Sequence, residues 1–251
     1  MNMNKNAIQD FVSSFKKQCD GLLTLLYPRR CPACDAPVPY GQMICRQCEK
    51  AFVPIVEGYC MKCGKPLHNS RMEYCGDCVR KTHRFARGRA VFVYQGAIVK
   101  SLYRFKYGHR QEYAAYYGKV AATQLGEELK MLGAQLLVPV PLHPKRYAKR
   151  GYNQAAVFAN ALSEHLHIPV CENAVVRVKN TIPQKLLDEQ GRQNNLKKAF
   201  KVGQNVVKSK VIIVIDDIYT TGSTIDAVSD VLYRAGARKV YFLTLAIGRE
   251  G

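Results

Sequence analysis

Residues 211–224, VIIVIDDIYTTGST, constrain the fold of this chain more than any other stretch. Five consecutive aliphatics, 211–215, form the apolar run of a strand covered by helices on both faces, which places it in the middle of a parallel sheet. Asp216 and Asp217 stop that run where open α/β sheets hold their ligands, beyond the carboxyl ends of the strands. From about Thr224 the spacing Ile225, Val228, Val231, Leu232 predicts a helix with one buried face. Between acids and helix lie Thr220, Thr221, Gly222, Ser223 and Thr224. Backbone N–H groups turned inward at a helix N-terminus, ringed by hydroxyls and approached closely at a glycine, make a phosphate cradle. The two carboxylates, set just before it, suit sugar hydroxyls or a hydrated Mg²⁺. An ordinary capped turn would not require two acids at a buried strand end, where each costs desolvation.

This stretch resembles the phosphoribosyl-pyrophosphate (PRPP) motif of type I phosphoribosyltransferases, a hydrophobic strand followed by two acids and a T-G-[GS]-T loop. The resemblance implies that Asp216 and Asp217 hold the ribose 2′ and 3′ hydroxyls, that residues 220–224 bind the 5′-phosphate, and that Mg²⁺ accompanies PRPP. Where some purine-salvage relatives carry an Asp near the base, this chain has Thr220, so no base-directed catalytic acid is visible in the loop. The fold class expected is α/β, a type I phosphoribosyltransferase-like parallel sheet flanked by helices.

Eight cysteines in four C-x-x-C pairs precede that domain: Cys31/Cys34, Cys45/Cys48, Cys60/Cys63 and Cys75/Cys78. One such turn puts two thiolates on one side of a metal, and two complete a closed tetrahedral Cys₄ site, so four imply two structural zinc ions. Sequential pairing, first with second and third with fourth, is favoured over interleaved pairing because about ten residues between knuckles make a short ribbon hairpin. Disulfides are the alternative. Without a charged, apolar, small-residue signal order, and with Cys19 and Cys171 standing alone, a reducing cytoplasm is the expected setting.

Residues 5–27 read as an amphipathic helix packed on its own domain, with Ile8, Phe11, Val12, Phe15, Cys19, Leu22, Leu23 and Leu26 at three- and four-residue steps. No apolar run is long enough to span a bilayer. The expected organisation is therefore a helix over 1–28, a double zinc ribbon over 29–80 and the phosphoribosyltransferase-like domain over 81–251. The formal charge of +19 points to a polyanionic partner or a membrane surface. Each Zn(Cys)₄ unit would lower it by two and leave the chain strongly basic.

Three further stretches carry that charge. Residues 81–110 hold Arg87, Arg89, Arg104 and Lys106 with no acid among them, interleaved with Tyr107 and five other aromatic residues. Cations for a phosphate backbone beside rings for bases would make a single-stranded DNA surface; core rings beneath a solvated basic face are the equal alternative. After a buried strand over 136–140 comes a basic loop in which His143, Lys145, Arg146 and Arg150 could hold pyrophosphate. A third stretch, 177–201, contains Gln184, Arg192 and Asn195 and has little apolar periodicity, as expected of a mobile or binding loop.

Four zinc knuckles, RGYNQ at 150–154, the Q-x7-R-x2-N spacing of Gln184, Arg192 and Asn195, and the loop after Asp216 together resemble the ComF family of competence proteins over nearly the whole chain. That resemblance implies a protein of natural transformation that handles incoming single-stranded DNA beside a DNA-translocating helicase. The alternative it leaves open is an active phosphoribosyltransferase acting on an unknown nucleobase or amine.

Overall fold

The computed structural model describes residues 28–69, 71–178, 199–203 and 210–249. The helix expected over 5–27 and the loop residues Gln184, Arg192 and Asn195 lie outside them.

Twice over, the N-terminal region repeats one chain path. RCPACDAP at 30–37 and YCMKCGKP at 59–66 each fold into a knuckle closed by an antiparallel bridge, Arg30 to Pro37 and Tyr59 to Pro66. Inside each, the first cysteine N–H donates across the turn, Cys31 to Ala36 O and Cys60 to Lys65 O, both at 2.8 Å. The residue after the second cysteine takes a left-handed conformation, Asp35 at φ 65° and Gly64 at φ 76°. The opposing knuckles start a single 3₁₀ turn, Arg46–Cys48, and a short helix α1, Gly76–Arg80.

The chain then enters strand β1, Gly88–Val93, and helix α2, Ala97–Tyr107, which buries Ile98, Ser101, Leu102 and Phe105 on one stripe and stops at Gly108. Helix α3, Tyr113–Met131, leads to strand β2, Leu136–Pro139. The expected basic loop is partly a helix, α4, Pro144–Arg150. Its signals were in the sequence: His143 caps it by accepting from Lys145 N, Pro144 opens it, and Gly151 ends it at φ 79°. Helix α5, Gln154–Leu166, precedes a small antiparallel ribbon of β3, Val175–Arg177, and β4, Phe200–Val202. Strand β5, Val211–Tyr219, helix α6, Ser223–Arg234, and strand β6, Lys239–Ile247, complete the described chain.

The main sheet has the order β1-β6-β5-β2, and every pair in it is parallel. Alternation along β5 sends Ile213 and Ile215 into the core shared with α3 and α5, and Ile212 and Val214 into the core beneath α6, so both faces are covered as the apolar run demanded. Helices α3 and α5 pack at backbone distance. A Cβ on Gly118 would lie 2.8 Å from the Ala161 backbone, which leaves room for glycine alone. Among the described residues no helix is long and apolar enough to cross a membrane.

Candidate functional site

The acidic pair lies inside β5, three and two residues before its last residue, Tyr219. The continuous pairing with β6, which runs to Tyr219 opposite Ile247, carries the strand past the aliphatic run that marked it in the sequence. On the other side β2 gives out. Its last paired residue, Pro139, faces Ile215, one further bond joins Val140 N to Ile215 O, and Pro141 has no N–H to continue. Asp216 and Asp217 therefore stand where β5 outlasts its neighbour β2.

Alternation aims the two carboxylates at opposite sides of the sheet, where each meets a cation. Asp217 Oδ2 is 2.8 Å from Lys106 Nζ, on the last turn of α2. Asp216 faces the field of Arg177 from β3 as well as that of Lys106. Burial pushes the Asp216 carboxyl up to about 7, with repulsion from Asp217 second, against lowering by the Asp217 N–H and both cations. Arg177 is lowered to about 10 by burial and then by Arg146, with Asp216 opposing. His143 is lowered by desolvation and by the facing charges of Arg177, Lys145 and Arg146. The short helix α4, the ribbon β3 and the end of β5 thus share one electrostatic neighbourhood, which joins the acids to the basic residues expected of a pyrophosphate site. Arg150 sits further along, donating to Gln154 Oε1 at 2.9 Å and to Tyr107 Oη at 3.0 Å.

The hydroxyl loop follows β5 directly. Gly222 is left-handed at φ 76°, and a Cβ there would come within 2.5 Å of Tyr219 Oη. Thr221 Oγ1 and Ser223 Oγ are 3.0 Å apart, Thr220 is exposed, and Ser223 opens α6 with Thr224 behind it.

Two sets of four cysteines converge: Cys31, Cys34, Cys45 and Cys48, and separately Cys60, Cys63, Cys75 and Cys78, with all sulfurs of a set within 4.8 Å of one another. Cys34 and Cys45 Sγ are 3.8 Å apart, and Cys63 and Cys75 Sγ 3.6 Å. Four thiolates about 2.3 Å from one zinc sit about 3.8 Å apart along a tetrahedron's edge. Both clusters fit zinc, and the pairing is sequential.

The strip of solvated cations expected between 87 and 106 does not form. Arg89 is 5 % exposed, with its guanidinium 3.6 Å from the Tyr59 ring and 3.0 Å from Glu128 Oε2. Arg87 reaches the other Glu128 oxygen at 3.2 Å, and Arg104 donates to Ala33 O. Lys106 belongs to the acidic pair. These cations tie β1 to α3 and to the second ribbon at Tyr59, and α2 to the first ribbon at Ala33, information that no local pattern carries. What remains open on α2 is aromatic: Tyr103 is 65 % and Tyr107 49 % exposed, with ring centroids 5.1 Å apart, Arg150 stacked over Tyr107 and Lys100 exposed on the same stripe. Residues missed in the sequence are Lys106 as the partner of Asp217, Arg177, and His83, whose Nδ1 lies 2.9 Å from Asp226 Oδ2 beneath the loop.

Comparison with known proteins agrees with this layout. Residues 22–79 match the double zinc ribbon domain family and residues 153–251 the phosphoribosyl transferase domain family. The DNA utilization protein YhgH of Escherichia coli K12 is 30% identical over 220 residues, spanning 86% of this chain and 96% of that protein. Competence protein F of Haemophilus influenzae is 30% identical over 210 residues, 81% of this chain and 90% of its own. Competence protein ComFC of Streptococcus pneumoniae is 30% identical over 206 residues, 80% and 86% respectively.

Proposed function

We propose, from the premise that this chain belongs to the ComF family of competence and DNA-utilization proteins, that it serves natural transformation in the cytoplasm by binding single-stranded DNA, and that the end of β5 holds PRPP with Mg²⁺. A DNA-translocating helicase of the same system is the protein partner this reading takes from the family resemblance. The observation that carries the ligand reading is the pair Asp216 and Asp217, half-buried where β5 runs past β2 and just before a hydroxyl-lined loop. Burial keeps Asp216 near neutrality of charge until something compensates it. Ribose hydroxyls donating to the carboxylates, or Mg²⁺ beside them, supply that compensation, and residues 220–224 face the 5′-phosphate. Mg²⁺ when bound would offset the negative charge of the diphosphate.

Calorimetry with PRPP and MgCl₂ tests this. Asp217→Asn keeps the shape and removes one charged acceptor, worth about 1.5–3 kcal/mol, so affinity falls at least about tenfold. Equal binding by wild type and variant, or binding by neither, rejects the assignment. Because Asp216 titrates at about 7 and the ligand favours its carboxylate, affinity also rises with pH between about 6 and 8 and binding releases protons. A flat profile contradicts the role of Asp216.

Arg177, which faces both Asp216 and the α4 group of His143 and Arg146, favours a second reading, transfer of phosphoribose with these basic residues stabilising the leaving pyrophosphate. Pyrophosphate release from PRPP in the presence of candidate acceptors, DNA included, distinguishes a transferase from a binding protein.

For single-stranded DNA the open face of α2 supplies the support, with Tyr103 and Tyr107 for stacking and Lys100 and Arg150 for phosphate. Tyr103→Ala with Tyr107→Ala weakens oligo-dT binding at every salt concentration, by about 1–3 kcal/mol per stacked base, while the salt slope is retained. Anisotropy titrations showing no loss would move the strand to another face.

A further inference from the structure

The phosphate loop is gripped from outside by the chain that leaves the second cysteine cluster. Helix α1, which carries Cys78, ends where the Lys81 N–H donates to Asp77 O at 2.9 Å, and the next residues run directly under α6. Lys81 Nζ reaches Thr221 O at 3.4 Å. His83 Nδ1 is 2.9 Å from one oxygen of Asp226, and the Arg84 N–H donates to the other at 2.8 Å. Arg84 Nε also pairs with Asp230 at 3.0 Å, one turn further along α6. The opposing knuckle holds the same segment, since Lys62, between Cys60 and Cys63, donates from Nζ to Phe85 O at 2.5 Å and to Ala86 O at 3.2 Å.

His83 occupies the centre of this contact. It is 6 % exposed, stacked on Phe85 at 4.7 Å and set edge-on to Tyr219 at 6.4 Å. Its Cε1 closes the underside of the loop so tightly that a Cβ on Gly222 would lie 2.9 Å from it. Asp226 is in the first turn of α6, with its N–H bonded to Gly222 O at 2.8 Å. An acid there commonly turns back onto the helix's own first amides, but this one is engaged by His83 and Arg84.

We propose that residues 81–84 position the phosphate loop, with His83 as the positioning residue, so that order in the second cysteine cluster and occupancy of the loop by a phosphorylated sugar are linked. The nature of that ligand rests on the function proposed above; the positioning role does not. Linkage is reciprocal, so a loosened segment weakens the ligand and a bound ligand steadies the cluster.

Hydrogen exchange of the full chain without ligand tests positioning directly. His83→Ala speeds exchange across 219–228 by about tenfold, the equivalent of about 1.4 kcal/mol, while 239–247 in β6 keeps its protection. His83→Asn, whose amide replaces Nδ1 as donor to Asp226, restores part of the protection. Asp35→Asn, at the first ribbon, changes nothing across 219–228. If His83→Ala also deprotects β6, Asp226→Asn decides, because it removes the charged acceptor and leaves the ring in place. Unaltered exchange across 219–228 in the deciding variant overturns the proposal. Zinc loss into a chromogenic chelator supplies the reciprocal measurement: His83→Ala speeds release of one of the two zinc ions, and unchanged release of both refutes the linkage. With PRPP and Mg²⁺ as probe, His83→Ala weakens binding about tenfold. A wild type that takes up no PRPP overturns the phosphoribosyl reading, and the exchange result then decides positioning by itself.

Discussion

Cys31, Cys34, Cys45 and Cys48 form a knuckle pair like that of Cys60, Cys63, Cys75 and Cys78, yet the first leaves Cys34 exposed and the second buries Cys60, Cys63 and Cys75. The difference follows from what each is packed against. Around the second cluster, Ile55, Phe85, Tyr219 and Phe242 extend the core beneath α6, so the ribbon and the sheet share one apolar interior. The first ribbon joins the other core, the one shared with α2 and α3, through Cys31, Ala33, Val38 and the following Phe52, and adds polar contacts at its exposed side: Asp35 accepts from Arg110 Nε and Nη2 at 2.8 and 3.0 Å and from Tyr113 Oη at 2.5 Å, and Ser101 Oγ donates to Pro32 O. Both repeats thus share the apolar interior, on opposite faces of the sheet, but the second commits three cysteines to it and the first only Cys31. A repeated local sequence does not fix a repeated role.

Removing a metal ligand from each cluster gives the largest contrast. Cys63→Ser costs the second site its metal and opens the core beneath α6, a loss of about 4 kcal/mol, which for a chain of this size is roughly 8–16 °C in Tm. Cys34→Ser releases the first ribbon and lowers Tm by less than half as much. Melting curves with equal shifts would mean that the exposed Cys34 holds as much of the fold as the buried Cys63.

The acids that anchor the two ribbons should also differ. In the second, Asp77 is 2.5 Å from Lys65 Nζ, and Lys65 is 5 % exposed. Asp77→Asn leaves a buried ammonium without its carboxylate, a loss that reaches 3–5 kcal/mol for fully buried pairs; with half of Asp77 in solvent, about 2 kcal/mol is expected. Asp35→Asn leaves Arg110 only partly buried and free to turn toward water, so about 1 kcal/mol is expected. Denaturant titrations in which Asp35→Asn costs the more would make the first ribbon's anchor the stronger of the two.

These roles were unequally legible in the sequence. The strand of 211–215, its acids, the helix after the loop, the parallel sheet and the sequential pairing of cysteines could all be read, because period, length and spacing are local quantities. So could the short helix α4, by Pro144 and Gly151, although its basic residues drew attention first. The partner of a cation could not. Arg89, Arg104 and Lys106 looked like one solvated strip, and their destinations at Glu128, Ala33 and Asp217 depend on how α2, α3 and β5 stack. His83 had no visible signal either, since its meaning comes from Asp226, far along the chain.

The smallest expected effect concerns how the first ribbon's anchor responds to acid. Burial alone would raise the Asp35 carboxyl, but the hydrogen bonds from Arg110 and Tyr113 and the Arg110 charge outweigh it and hold Asp35 below the usual carboxylate range. An acid lowered by folding contributes stability that is complete above its unfolded value, about 3.9, and that is lost as pH falls through its folded value. Wild type and Asp35→Asn should therefore differ by a constant amount, about 2–4 °C in Tm, from pH 7 down to about pH 5, and the gap should begin to narrow below about pH 4 and close as pH falls through the lowered folded value. Asparagine tolerates the left-handed conformation at φ 65° nearly as well as aspartate, so the substitution isolates the charge from the turn. Melts whose separation is the same at pH 3 as at pH 5 would show that the carboxylate acts through the geometry of the knuckle, and the first ribbon's hold would then rest on the packing of Cys31, Ala33 and Val38.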